Sequence, residues 1–250
     1  MGLPKIAVPE YTLKLPSSGK EIKYRPFLVK EEKLLLIAME SEEENQILDA
    51  TKRVIQNCMV NNDVDVEKLP IFDIEYIFLW LRAKSKGEII ELKYKCPDCK
   101  GEIPISFNVE EVVINKDAAH SQKIEITDSL GIMMKYPTID DQSSKEAVND
   151  NNTQIDKLFK TILSSLEYIY DNDEMYQSKD YTENEMQDFL ESLNDTQFQK
   201  IANFFETMPK LKHEVKLECK GRVKGEGKKK DKTCGYTEDM VLEGLQSFFE

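Results

Sequence analysis

Cys96-Pro97-Asp98-Cys99-Lys100-Gly101 is a C-x2-C knuckle set between two alternating stretches. Ile90, Leu92 and Tyr94 precede it at every second position, and Ile103, Ile105 and Phe107 follow it in the same way. That two-residue period belongs to half-buried strands. Pro97, Asp98 and Gly101 suit the tight turn of a hairpin. Two thiolates on one turn can share a metal ion but leave a tetrahedral zinc site half filled. The chain supplies two more cysteines far away: Cys219 ends the alternating stretch His213-Glu214-Val215-Lys216-Leu217-Glu218, and Cys234 opens Cys234-Gly235-Tyr236. The fourteen residues between them, 220–233, form a polar insert rich in Gly and Lys. If that insert loops out, Cys219 and Cys234 make a second knuckle. Two hairpins clamping one structural zinc through Cys96, Cys99, Cys219 and Cys234 are a zinc ribbon.

Two rival readings stand beside it. A disulfide pair is disfavoured because no secretory segment is visible. Cysteines with no shared role are the other. A catalytic zinc is disfavoured because four thiolates leave no position open for water. The fifth cysteine, Cys58, lies in an apolar helical run and reads as core packing.

With 250 residues and 40% hydrophobic content, the chain can build one large domain or two modest ones. A formal net charge of −13 argues against a general nucleic-acid binder. No apolar run approaches the ~20 residues that span a bilayer, so no membrane is expected as a partner. Met1-Gly2-Leu3-Pro4-Lys5 reads neither as a signal peptide nor as a good myristoylation site. A reducing cytosol follows, which favours zinc over disulfides.

The periodicities give an α+β fold: an N-terminal β-hairpin with helices, a zinc-ribbon-like pair of β-hairpins, and a C-terminal helical block. Residues 1–87 hold the first hairpin (11–15 and 21–25) and three helices. Ser41 and Glu44 read as a capping box for the second of these helices. Residues 88–137 hold the first half of the ribbon and a further hairpin framing Asp128-Ser129-Leu130-Gly131. Residues 138–153 read as a linker. Residues 154–210 read as the helical block, with Leu158, Ile162, Leu163, Leu166, Ile169 and Tyr170 on one helical stripe. A capping box is expected at Thr182 and Glu185. Residues 211–250 hold the second half of the ribbon and a final amphipathic helix carrying Met240, Val241, Leu242, Leu245, Phe248 and Phe249.

No catalytic constellation appears. The two histidines, His120 and His213, stand apart, and there is no P-loop, G-x-G-x-x-G, H-E-x-x-H or G-x-S-x-G. No enzyme and no small-molecule substrate is therefore expected; a carboxylate-dependent nuclease is the weakest of the alternatives. The helix over 71–85 is apolar on most sides, which fits burial or docking on a partner. Phe78, Trp80 and Arg82 on it, with Leu245, Phe248 and Phe249 at the C-terminus, are the candidate partner contacts. The insert is the one basic spot on an acidic chain. Lys228, Lys229 and Lys230 there carry the alternative reading of a zinc-ribbon nucleic-acid accessory protein, though no aromatic is present for base stacking.

Several strings in order resemble the T-even-type contractile-tail phage baseplate hub family. They are Leu15-Pro16-Ser17-Ser18-Gly19-Lys20, Tyr24-Arg25-Pro26-Phe27-Leu28-Val29-Lys30-Glu31-Glu32-Lys33, Phe72-Asp73-Ile74-Glu75-Tyr76 and Leu81-Arg82-Ala83-Lys84-Ser85-Lys86-Gly87-Glu88. The knuckle at Cys96 follows at the expected point. The likeness covers residues 10–136, and the Lys-rich insert departs from it. The resemblance implies a hub subunit or hub assembly chaperone, made late in infection in the host cytoplasm, and as a hub subunit carried into the virion tail baseplate. Its partners would be other baseplate hub proteins.

Overall fold

The computed structural model describes residues 6–41, 43–61, 64–139, 141, 154–223 and 232–244. The chain is α+β, with mixed helices and several small sheets. It opens with an antiparallel hairpin, β1 (Tyr11–Lys14) and β2 (Glu21–Tyr24), followed by α1 (Val29–Glu40), α2 (Glu44–Cys58) and α3 (Ile71–Lys86). Leu13, Leu15, Ile22 and Tyr24 of the hairpin pack against Leu35 and Ala38 of α1 and against Val54, Ile55 and Cys58 of α2. Ile74, Ile77, Phe78 and Leu81 of α3 complete this first core. Those four positions are the i, i+3, i+4, i+7 stripe of a helix that buries one face.

The opposite side of α3 faces a second core, through Leu79 and Ala83. That double use explains why the helix is apolar nearly all round. The second core is built on β3 (Ile89–Lys95) and β4 (Glu102–Asn108), an antiparallel hairpin in the register Ile90↔Phe107, Leu92↔Ile105, Tyr94↔Ile103. Beside it lies a three-stranded sheet. Its central strand β10 (Lys210–Glu218) pairs with β5 (Val113–Asn115) on one edge and β13 (Thr237–Glu243) on the other.

The third core belongs to a four-stranded antiparallel meander and the helices packed on it. The strands are β6 (Lys123–Glu125), β7 (Gly131–Met134), β8 (Leu166–Tyr170) and β9 (Met175–Gln177). The helices are α4 (Gln154–Ser165), α5 (Glu183–Glu191) and α6 (Asp195–Thr207). Ile132, Met134, Ile162, Leu166, Leu190, Ile201 and Phe204 form its centre. An aromatic contact joins it to α3: Tyr136 meets Phe72 edge-on at 5.1 Å and stacks on Phe204.

Buried polar groups fasten the first region. Asp73, fully buried in the first turn of α3, accepts bonds from the Ser17 backbone N–H (3.0 Å) and the Ser17 hydroxyl. Burial pushes its carboxyl up, and the two Ser17 bonds restrain that rise. Arg25 reaches across to Glu31 at 3.0 Å and to the Asn57 carbonyl at 2.8 Å. Burial pushes the Glu31 carboxyl up, but the bonds from Arg25, the Leu28 N–H and Lys30 bring it below its ordinary value.

Three local readings change. The stripe through Tyr170 divides: the helix stops at Ser165, and Leu166-Glu167-Tyr168-Ile169-Tyr170 is a strand paired on both edges. Its aromatic and branched residues suit a pleated surface, and β7 offers a waiting edge. The expected C-terminal amphipathic helix is a strand over Thr237–Glu243, because β10 presents a partner along its whole length. Leu242 turns inward and Val241 outward, the alternation of a sheet. Ser41 does not start α2; its hydroxyl closes α1 by donating to the Ala38 carbonyl at 2.7 Å. The Thr182–Glu185 capping box is present as read.

Candidate metal centre

β3 and β4 run out of the second core into a turn that carries the first two cysteines. The Cys96 N–H donates to the Gly101 carbonyl at 2.8 Å, and the Lys100 N–H donates to the Cys96 carbonyl at 3.0 Å. Lys100 takes a left-handed conformation, φ 61°, which bends the chain sharply after Cys99. On the other side, β10 ends at Glu218 and leads directly into Cys219. The short strands β11 (Arg222–Val223) and β12 (Lys232–Thr233) then pair and return the chain to Cys234. The Cys219 N–H donates to the Tyr236 carbonyl (2.9 Å) and the Cys234 N–H to the Gly221 carbonyl (2.8 Å). The strand pairing at the base of the insert therefore turns a fourteen-residue gap into a compact second knuckle.

The two knuckles face each other. The Cys96 and Cys234 sulfurs lie 3.6 Å apart, those of Cys99 and Cys219 3.4 Å apart, and all four fall within 4.8 Å of one another. Sulfurs bound at about 2.3 Å around a tetrahedral zinc stand about 3.8 Å apart, so the donor set fits one such ion. These separations are far beyond the ~2.05 Å of a disulfide bond, and all five cysteines are free thiols. Cys96 and Cys219 are buried and the other two half-buried. Four thiols, with no fifth donor in the cluster among the described residues, can hold a metal ion in a closed site. His213 is not among the clustered donors; it stacks on Phe107 with ring centroids 4.2 Å apart.

The thiols differ in acidity. Burial opposes ionisation of Cys96, but the Cys99 and Asp98 N–H groups and the Cys219 and Cys234 thiols outweigh it and bring it down to about 7. For Cys219 the Gly221 N–H favours the thiolate, yet burial and the thiols of Cys99, Cys96 and Cys234 push it up to about 12. Cys234 is also raised: the Tyr236 N–H favours its thiolate, and burial with Cys96 and Cys99 prevails. Four neighbouring thiols cannot all ionise without a cation among them, so metal capture releases protons and weakens in acid.

Two glycines shape the cluster. A Cβ on Gly221 would lie 2.9 Å from the Cys99 sulfur and 3.2 Å from that of Cys219; one on Gly101 would lie 3.3 Å from Cys99. Gly221 was not singled out from the sequence. The signal for it is the repeated tripeptide Cys99-Lys100-Gly101 and Cys219-Lys220-Gly221.

The other sequence candidates lie elsewhere. Phe78 is buried in the first core. Trp80 is half-buried between the first and second cores, edge-on to Tyr76, with Lys84 over its ring at 5.6 Å. The Trp80 indole N–H and one terminal nitrogen of Arg82 are buried without a hydrogen-bond partner among the described residues. Burial lowers the Arg82 pKa. Leu245, Phe248, Phe249, Lys228, Lys229 and Lys230 lie outside the described residues. Among the described residues no helix is long and apolar enough to cross a membrane.

A family model described as T4 bacteriophage base plate protein matches residues 8–250, nearly the whole chain. The match takes in both knuckles and the meander with its helices. No curated protein and no solved structure matches.

Proposed function

The chain belongs to the T4 bacteriophage base plate protein family, and from that premise we propose that it is a non-enzymatic hub subunit or hub assembly factor. It works by presenting shaped surfaces to other hub proteins while the contractile tail is put together in the host cytoplasm. The family match over residues 8–250 is the observation that carries this reading. Cys96, Cys99, Cys219 and Cys234 hold one structural zinc, which fits their four convergent sulfurs. When bound, the ion cross-links the β3–β4 turn to the end of β10 and gives no open position for a substrate. The chain's own part is to keep the two knuckles in register, through the β3–β4 and β10–β13 ladders.

Trp80 and Arg82 on α3 remain candidate contacts. Each has one buried donor nitrogen without a hydrogen-bond partner among the described residues, and each side chain is otherwise partly exposed, so a partner would meet that exposed part rather than the buried nitrogen. Phe78, inside the first core, supports such a contact only from beneath.

Mass spectrometry of purified mature particles beside hub-sized intermediates from the same infected cells tests the reading. A fixed copy ratio in mature particles identifies a hub subunit. Presence only in the intermediates identifies an assembly factor. Absence from both sinks the hub reading.

A further inference from the structure

Helix α1 has two apolar faces. The inner one, with Glu31, Leu35 and Ala38, is buried. The outer one is apolar too: Val29 is 80% exposed, Leu36 52% and Ile37 56%. At about 100° per residue, positions 29, 33, 36, 37 and 40 share one side of the helix, opposite 31, 35 and 38. That side reads Val29, Lys33, Leu36, Ile37, Glu40. Apolar residues exposed singly are ordinary, but these three lie on one stripe that no other described residue covers. Lys33 and Glu40 make no ion pair among the described residues, whereas the neighbouring Lys30 and Glu32 do. Glu40 is the last residue of α1, where the negative end of the helix dipole disfavours a carboxylate. Its placement is not explained by its own helix.

We propose that this face is a self-association surface on which a second copy of the chain packs α1 antiparallel against α1. The two-fold axis falls between Leu36 and Ile37. Each Leu36 then meets the second copy's Ile37, and each Lys33 meets the second copy's Glu40. An isologous contact of this kind uses one self-complementary patch on both partners. A parallel pairing would set lysine beside lysine and glutamate beside glutamate. One helix face covers less than the ~800 Å² per partner of a standard interface, so the dimer is a concentration-dependent one. The inference stands on α1 alone and holds whether or not the cysteines carry metal or the chain enters the hub.

Sedimentation equilibrium of the full chain across the micromolar range, at low and high salt, tests it. The expected result is a reversible rise in mass towards the dimer, weakened by salt. Leu36→Glu should weaken dimerisation by at least roughly tenfold while the melting temperature stays put, because the side chain is exposed. Lys33→Glu should weaken it through like charges, and Lys33→Glu with Glu40→Lys should restore it. A chain that is monomeric at every concentration overturns the proposal and leaves the α1 face to a different protein. A dimer indifferent to Leu36→Glu, or one that the double charge swap does not rescue, overturns the antiparallel pairing.

Discussion

The first and second cores share α3 and are secured by different means. Around the first, a hairpin and three helices close over large side chains, among them Tyr24, Leu15, Ile55 and Phe78. Its buried carboxylates are partnered: Asp73 by Ser17, Glu31 by Arg25. The second is thinner. It rests on a two-stranded hairpin and a three-stranded sheet, and an isolated hairpin is marginal in water. At its far end, where an apolar core would continue, it has four thiols instead. The first region therefore carries its own stability, while the second would lean on the proposed metal cross-link between residues more than a hundred positions apart.

The largest expected break in that contrast is loss of the metal. Structural zinc contributes ~10–16 kcal/mol apparent in finger peptides, comparable to the ~5–15 kcal/mol net stability of a whole domain. Chelation, or Cys96→Ser, should strip zinc measured by elemental analysis. Amide-exchange protection should collapse in β3, β4, β10 and β13 and persist in α2 and α3. Equal loss in both regions would remove the contrast, and unchanged zinc and melting would remove the metal.

Arg25→Ala probes the other side. It leaves Glu31, whose side chain is 1% exposed, with only the exposed Lys30 as an ion-pair partner. The cost should be about 3 kcal/mol in denaturant unfolding, with zinc content unchanged. Because the folded Glu31 carboxyl sits below its ordinary value, its contribution is complete above the unfolded pKa of about 4.3. It is lost as pH falls through the folded value. The stability gap between wild type and variant should therefore be full near neutrality and close in acid; a gap that persists in acid would show that the ion pair is not its source.

Gly221→Ala is the subtlest of the three. The added methyl would press on the Cys99 sulfur, costing roughly 1–3 kcal/mol as overpacking. Weaker zinc retention in a chelator competition is the expected readout, and a smaller effect is expected from Gly101→Ala, where the contact is 3.3 Å. Indifference to Gly221→Ala would mean that the second knuckle yields easily.

Much of this was legible where neighbouring residues decide the outcome. The β1–β2 hairpin, the hairpin at Cys96, α3 and the capping box at Thr182 all follow from local period and turn chemistry. The failures share a cause. Leu166 to Tyr170 and Met240 to Leu242 carry apolar residues that fit a helical stripe and a strand about equally well, and short apolar runs are ambiguous by periodicity alone. What made them strands was a free edge on β7 and on β10, and those edges are contributed by residues far away in the chain. Gly221 escaped notice for the same reason: its value lies in the sulfur of Cys99, which only the folded chain brings near.

By itself, the sequence determined that the Cys96–Cys99 knuckle exists and what its thiols can bind, since thiol chemistry and turn propensity are properties of short segments. It also determined that α3 would be apolar on most sides. Tertiary structure alone decided which core each side of α3 enters, and that Cys219 and Cys234 meet across their insert. It also decided that, among the described residues, one face of α1 is left uncovered. Each of these depends on contacts between distant segments, whose cost in chain entropy is offset only when the whole core forms together.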